Sequence, residues 1–359
     1  MDRKELFKSI DRGQIYPIYC FYGPEAYVRK QAEKKLVEKL MVPGMEMMNM
    51  SVLTAPGVSQ IIESCEVLPF MGERRLVIVR ELGLLGKDTG TKDKGKGKEA
   101  GESRGKDRTD ESDELIRYFE RIPETTCLLF DAGEGFDKRK KLGKALTGFP
   151  GCVEFQLLEE AELQRWIEKT AKGMEAAIDR EAGERLVFLS GRDLTALHTE
   201  LLKLSAYAGQ GGTIHAEDVD RLATRTSEAQ VFEMIEALFD GRTEAAFSQT
   251  DTLLLSGESR LGILALITRQ IRQMLFAGVM SEQRRSSSEI SKTVGIHSYF
   301  LGKTVMKAKI IGTGTLKACL ERCISTDYDI KRGVLREENG FDRLMLEMAQ
   351  IATRRNKRG

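Results

Sequence analysis

Short β-rich runs alternate with helix-forming segments through residues 1–159, and this alternation is the strongest constraint on the fold of the chain. The runs cover residues 15–22, 48–53, 75–81, 125–132 and 152–157. Several are apolar enough to be buried on both faces, which is typical of parallel strands covered by helices. Between the runs, apolar residues recur at helical spacing, as they do from Val58 to Cys65. We therefore predict that residues 1–159 form an α/β domain with a doubly wound parallel sheet.

Residues 86–113 interrupt this alternation. They contain eight basic, eight acidic and six glycine residues, and Ala100 is their only apolar side chain. Such a segment cannot bury enough apolar surface to offset the entropy that ordering costs. Strand-forming sequence resumes at Thr125, so we predict a disordered insertion within the first domain. A polyelectrolyte arm with its own function is the alternative, although the balanced charge favours a solvated insertion.

From Glu160 onward helical periodicity dominates the sequence. Leu163, Trp166 and Ile167 mark one amphipathic helix, and leucines at helical spacing mark the helices that follow. We predict a small helical domain over residues 160–227 and a larger all-helical domain over residues 228–359.

Composition places the chain in the cytoplasm. No apolar run approaches the ~18 residues that a membrane span needs, and the start MDRKELFKSIDRG lacks the apolar stretch of a signal peptide. The six cysteines lie mostly inside apolar runs without CxxC spacing. We therefore expect buried cysteines, no metal site and no membrane association.

The overall net charge of +1 conceals an uneven distribution. Residues 259–359 carry 19 basic and 9 acidic side chains, so the rest of the chain is acidic. A basic C-terminal part is a first hint of a nucleic-acid neighbour, although on this count alone an uneven surface charge without function is the favoured explanation.

The turn after the first strand, FYGPEAYVRK, is where a doubly wound domain would hold phosphate. A phosphate loop needs the pattern G-x-x-x-x-G-K-[ST]. Counting from Gly23, the positions of the second Gly, the Lys and the Ser/Thr hold Val28, Arg29 and Lys30. The domain therefore has the shape of a nucleotide-binding fold without its phosphate chemistry.

No nucleophile elbow, paired-carboxylate motif or metal signature appears in the sequence, so we expect no catalytic residues and no cofactor. Asp131 ends a strand and could lie at the carboxyl edge of the sheet. The alternative function is therefore a nucleotide-dependent AAA+ remodelling ATPase with a non-standard site near Gly23 and Asp131.

Phe70 and Met71 follow Pro69 and precede Gly72, between a predicted helix and a predicted strand. An adjacent pair of large apolar residues on a turn makes a compact apolar plug for a protein partner when it is exposed. From the pattern alone, the pair is equally compatible with folding inward under the next strand.

Four stretches of the chain together resemble the delta subunits of bacterial DNA polymerase III clamp loaders. They are YPIYCFYGPEAYVRKQAEKKL, LPFMGERRLVIVRE, the strand TTCLLF with the following DKRKKLGKAL, and STDYDIKRG. The order of the domains and the missing phosphate loop fit the same family, and the resemblance spans nearly the whole chain.

The resemblance implies an AAA+-like (RecA-like) α/β domain, a helical lid and a helical collar through which subunits oligomerise. It implies a subunit that does not hydrolyse ATP and is a non-catalytic part of the DNA polymerase III holoenzyme, which is a nucleotidyltransferase as a complex. The implied partners are the sliding clamp (beta), the other clamp-loader subunits and, within the complex, primed DNA. In this family delta grips the ring-shaped clamp and helps to open one ring interface during DNA replication.

The resemblance also assigns a clamp-binding turn. The family's gripping element carries two adjacent hydrophobic residues, and the matching positions here are Phe70 and Met71, with Leu68 and Pro69 shaping the approach. Phe and Met replace a Leu-Phe type of pair. The resemblance therefore favours exposure of this turn.

Two further assignments follow from the resemblance. Arg74 and Arg75 lie where rim charges would steer the turn toward an acidic clamp surface. Tyr328 matches a collar position near the primer–template junction, where an aromatic ring can stack on a base.

Overall fold

The computed structural model describes residues 1–86, 110–296 and 298–356, and the chain forms two compact units. The first unit is Met1–Glu159 and the second is Glu160–Gly359. Most of the predicted insertion, residues 87–109, lies outside the described residues. The predicted boundary between residues 160–227 and residues 228–359 falls inside the second unit and stays a prediction.

A five-stranded sheet organises the first unit, and its neighbouring strands are parallel. The strands are β1 (Ile18–Tyr22), β2 (Met50–Thr54), β3 (Arg75–Arg80), β4 (Thr126–Asp131) and β5 (Gly151–Glu154). Their order is β2-β3-β4-β1-β5, so β2 and β5 are the edge strands. The three central strands are buried along nearly their whole length, which explains their apolar sequences. The predicted parallel sheet is confirmed.

Helices cover both faces of the sheet. They are α1 (Arg3–Asp11), α2 (Ala26–Leu40), α3 (Glu46–Asn49), α4 (Val58–Glu66), α5 (residues 110–118) and α6 (Lys141–Thr147). On one face, Cys20, Val77 and Leu128 form a buried cluster with Ile61 of α4 and Leu142 of α6. Alternate strand residues project to the other face, where α1 and α2 contact the sheet. The doubly wound arrangement follows from these two layers.

The C-terminal boundary of the predicted insertion is wrong. Residues 110–113 are helical and belong to α5, whose Leu115 and Tyr118 are buried in the same cluster as the sheet. Acidic side chains at positions 110, 111 and 113 are favourable near the N-terminal end of a helix. The balanced charge of the surrounding segment obscured this helix signal.

The second unit is mainly helical. Its elements are α7 (Glu160–Gly173), β6 (Ala177–Ile178), α8 (Arg180–Ser190), α9 (Leu194–Ala208), β7 (Thr213–Ile214), α10 (Ala216–Leu222), α11 (Ser227–Phe239), α12 (Thr243–Leu255), α13 (Arg260–Glu282), α14 (Ser287–Val294), α15 (Ser298–Ile311), α16 (Thr313–Lys331) and α17 (Glu337–Asn356). Side chains of Asp193, Thr226, Ser259 and Ser286 cap helix N-termini. The parallel pair β6 and β7 was not predicted, because two residues per strand are too few for a periodic pattern.

One helix, α13, is long and apolar enough to cross a membrane by length and composition alone, contrary to the expectation from the sequence. Five of its buried residues, Ile263, Leu264, Ile267, Ile271 and Met274, belong to a core shared with α11, α16 and α17. Since its apolar residues contribute to this core, we interpret α13 as a core helix.

Candidate functional site

The segment between α4 and β3, residues 67–74, displays large apolar side chains at the amino edge of the sheet; we call it the apolar loop. Leu68 and Met71 are each 75% exposed, Phe70 is 52% exposed, and Pro69 is half-buried. The interpretation in which Phe70 and Met71 fold inward under the next strand is therefore wrong. Three exposed large apolar side chains within four residues are typical of a surface that a protein partner covers.

Asn49, the last residue of α3, fixes the backbone of the apolar loop. Its side chain accepts a hydrogen bond from the Phe70 N–H at 2.6 Å and donates one to the Phe70 C=O at 2.9 Å. Asn49 is only 1% exposed, so these bonds are made in a buried environment. Gly72 packs against the same amide, since a Cβ at Gly72 would lie 3.1 Å from Asn49 Nδ2. The phenyl ring is thus presented from a fixed backbone.

Met71 adopts a left-handed backbone conformation with φ of 51°, which is unfavourable for a residue with a side chain. The neighbouring hydrogen bonds of Asn49 hold this conformation in place. Such local strain is typical of functional segments. The sequence carried no signal for Asn49 or for the conformation of Met71.

Arg75 is a structural residue, which corrects its assignment as a rim charge. It is 8% exposed, and its guanidinium donates to the Ser64 C=O at 2.9 Å, the Met48 C=O at 3.0 Å and Ser51 Oγ at 2.6 Å. These bonds connect α4, α3 and β2 beneath the apolar loop. Since its donors point inward, Arg75 is not presented to a partner, whereas Arg74 is partly exposed.

At the opposite, carboxyl edge of the sheet, an ion pair lies in the region where a nucleotide-binding fold holds phosphate. Arg29, at the position of the phosphate-loop lysine, donates from Nε to Asp131 Oδ1 at 2.9 Å and from Nη1 to the Gly23 C=O. The Arg29 and Asp131 side chains are 12% and 19% exposed. The Gly23 N–H donates to the Gly133 C=O at 2.9 Å. The residues of the hypothesised non-standard site therefore form hydrogen bonds and an ion pair with their own neighbours in the fold.

A second ion pair extends this network. Glu33 lies one turn after Arg29 on α2 and pairs with Arg80, at the end of β3, at 2.6 Å. Desolvation raises the pKa of Glu33, and the Arg80 cation opposes that rise. The two pairs together connect α2 to the ends of β3 and β4.

Cys20, Cys65, Cys127, Cys319 and Cys323 are buried, as predicted, and Cys152 is half-buried. Burial raises the pKa of Cys65, Cys127, Cys319 and Cys323 to about 12, which keeps these thiols protonated and unreactive. Within the part of the chain that the structure describes, no three His, Cys, Asp or Glu side chains form a group that could hold a metal ion.

Tyr328 lies on α16 in the second unit and is 56% exposed. Arg332, one turn later, donates from Nη1 to Tyr328 Oη at 3.0 Å, and its guanidinium lies 5.3 Å from the ring centroid. The pair presents an aromatic ring and a cation together at the surface.

These features define a class of protein. The parallel sheet covered by helices, the Arg29–Asp131 ion pair at the phosphate-loop position and the helical second unit describe an AAA+-like protein. Its distinctive surface is the apolar loop.

Comparisons with known proteins agree with this class. The family model described as DNA polymerase III, delta subunit, matches residues 19–156, and the model for the C-terminal domain of that subunit matches residues 228–348. The DNA polymerase III subunit delta of Bacillus subtilis (strain 168) is 29% identical over 332 residues, which are 92% of each chain. The probable DNA polymerase III subunit delta of Aquifex aeolicus (strain VF5) is 26% identical over 159 residues, which are 44% of this chain and 45% of that protein.

A solved structure supports the same relationship. That of the Bacillus subtilis DNA clamp loader delta protein covers 97% of this chain and 99% of that chain, with 26% sequence identity and a TM-score of 0.57. The chain belongs to the DNA polymerase III delta subunit family, the clamp-loader delta subunits of bacterial replication. The predicted family and the AAA+-like fold are both confirmed.

Proposed function

We propose that this protein binds the sliding clamp through the apolar loop and helps to open one interface of the clamp ring for loading onto primed DNA. One observation carries the proposal: Phe70 and Met71 are exposed on a backbone that Asn49 holds fixed. Apolar anchors that fill a pocket on the partner supply most of the binding energy in typical interfaces. Leu68 and Pro69 flank these anchors, and Arg74 is the rim charge.

Calorimetric titration of the purified sliding clamp of the same organism into the full chain tests this function. We expect saturable binding without nucleotide, with a negative heat-capacity change because apolar surface is buried. A titration without binding heat at several temperatures would refute the proposal.

Ring opening follows from differential binding. The protein can favour an open clamp only by as much as it binds the open form more tightly than the closed form. A preference of about 100-fold corresponds to about 2.7 kcal/mol. A rigid loop suits this role, because a preorganised surface loses little of its binding energy to ordering.

The other clamp-loader subunits are the proposed source of the nucleotide-dependent step, and the helical second unit is the proposed collar that meets them. The alternative function, a nucleotide-driven AAA+ remodeller, is disfavoured because Arg29 and Asp131 pair with each other at the phosphate position. Loading takes place on primed DNA during replication, so the proposed location is the cytoplasm.

Asn49→Ala is expected to weaken clamp binding about tenfold without removing a side chain that touches the clamp. The substitution leaves the N–H and C=O of Phe70 without their partner, which costs about 1–3 kcal/mol of loop stability, and the loop then loses preorganisation. Hydrogen exchange of the Phe70 amide should accelerate in parallel, whereas Asn339→Ala on α17 should change neither quantity. An unchanged clamp affinity together with faster exchange would contradict the positioning role of Asn49.

Tyr328→Ala is expected to reduce the affinity of the assembled clamp loader for primed DNA roughly tenfold, because one base–aromatic stack contributes about 1–3 kcal/mol. Tyr207 is a matched control: it is 52% exposed, and Arg221 donates to its hydroxyl at 3.2 Å, as Arg332 does for Tyr328. Fluorescence anisotropy with labelled primed DNA measures both variants. Equal effects of Tyr328→Ala and Tyr207→Ala would contradict a specific DNA contact.

A further inference from the structure

A second exposed apolar element lies beside the apolar loop. Met47 and Met48, both on α3, are 95% and 59% exposed. The chain is rich in methionine here, since residues 41–50 contain five of its 14 methionines. Methionine is flexible and polarisable, and exposed methionines are frequent on surfaces that adapt to apolar partners. Nothing in the family resemblance assigned a role to this segment.

The sheet places this element at the same edge as the apolar loop. In the parallel register, Met50 of β2 faces Leu76 of β3, so the residues that precede each strand emerge side by side. Two observations confirm this proximity. Asn49 hydrogen-bonds to the backbone of Phe70, and the Arg75 guanidinium donates to the Met48 C=O at 3.0 Å.

These bonds also fix the spacing between the two elements. Asn49 follows Met48 directly, and consecutive Cα atoms are about 3.8 Å apart, so Met47 and Met48 lie within roughly 12 Å of Phe70. A standard protein interface buries about 800 Å² on each partner, which corresponds to a patch roughly 16 Å in radius. Both methionines therefore lie within the radius of a standard interface centred on Phe70.

We propose that Met47 and Met48 form a second apolar anchor for the sliding clamp, held in register with Phe70 and Met71 by Asn49 and Arg75. The inference rests on the proposed function, because it assigns the same partner to an adjoining surface. The two anchors together form one surface at the amino edge of β2 and β3.

The test is a paired substitution in the full chain, with clamp affinity measured by calorimetry. Met47→Gln with Met48→Gln keeps the length of both side chains and removes their apolar character, and we expect about tenfold weaker clamp binding. Met47→Leu with Met48→Leu keeps the apolar character and should bind within about twofold of the unmodified protein. Met306→Gln, at a 60% exposed methionine of the second unit, is the control.

Methionine oxidation footprinting tests the same inference without substitution. Dilute oxidant converts exposed methionines to sulfoxides, and mass spectrometry measures the rate at each position. We expect the clamp to slow oxidation of Met47 and Met48 at least about fivefold and to leave Met306 unchanged.

The outcomes separate this inference from the proposed function. If the Gln pair binds the clamp normally, or if Met47 and Met48 oxidise equally fast in the complex, the second anchor is overturned. The proposed function then still stands, provided that Phe70→Ala with Met71→Ala weakens clamp binding at least about 100-fold. If that alanine pair also binds normally, the proposed function is overturned as well.

Discussion

Replacing Phe70 and Met71 together with alanine is expected to weaken clamp binding at least about 100-fold. Each of the two side chains contributes about 2 kcal/mol or more once the clamp buries it. The fold should be unaffected. Both side chains are largely exposed in the free protein, and the hydrogen bonds of Asn49 involve the Phe70 backbone, which alanine retains. The melting temperature should therefore change by less than about 2 °C. Calorimetry with the clamp measures the affinity, and circular dichroism measures the melting temperature.

Leu157→Ala is the control for the alanine pair. Leu157 is 59% exposed in the same unit, but it follows β5 at the opposite, carboxyl edge of the sheet. This control should bind the clamp with unchanged affinity. If it lost affinity as the alanine pair does, the binding surface would not be the apolar loop, and the assignment of Phe70 and Met71 would be wrong.

Asp131→Ala is expected to destabilise the first unit by about 3 kcal/mol, because Arg29 is left buried without its carboxylate partner. The ion pair is mostly buried, with side-chain exposures of 12% and 19%. Urea unfolding should be followed by far-ultraviolet circular dichroism, since the single tryptophan, Trp166, lies in the second unit and does not report on the first. The expected result is a lower unfolding midpoint for the transition of the first unit.

Two further variants make this experiment specific. Asp113→Ala breaks an exposed pair with Lys141, whose side chain is 65% exposed, and should cost less than about 1 kcal/mol. The double variant Arg29→Met with Asp131→Leu replaces both charges by apolar groups and should recover most of the stability lost in Asp131→Ala. A loss below about 1 kcal/mol for Asp131→Ala would contradict the view that this ion pair holds the strand ends together.

The sheet is predictable from the sequence because each strand has its own local apolar pattern. Runs such as those of β1 and β3 are apolar in nearly every position, and burial on both faces requires that pattern. The strands β6 and β7 were missed, because two residues are too few to show any period. The helix α5 was missed because its first residues continue the charge-rich composition of the insertion.

The site was only partly predictable, because its organisation depends on contacts between distant residues. The Phe70–Met71 pair stood out as an apolar plug, but pattern alone left its exposure undecided. Asn49 is separated from Phe70 by 21 positions, and Arg29 is separated from Asp131 by 102 positions. Arg75 looked like a surface charge, because the three acceptors that bury its guanidinium come from three different elements.

A clamp labelled with a self-quenching dye on each side of its ring interface tests most directly the proposal that this protein opens the clamp. Separation of the two dyes on opening relieves the quenching. We expect the full chain to increase the fluorescence of the labelled clamp in a saturable manner without any nucleotide, and the Phe70→Ala, Met71→Ala variant to leave it unchanged. Fluorescence that stays constant while calorimetry shows the clamp to be bound would contradict the account.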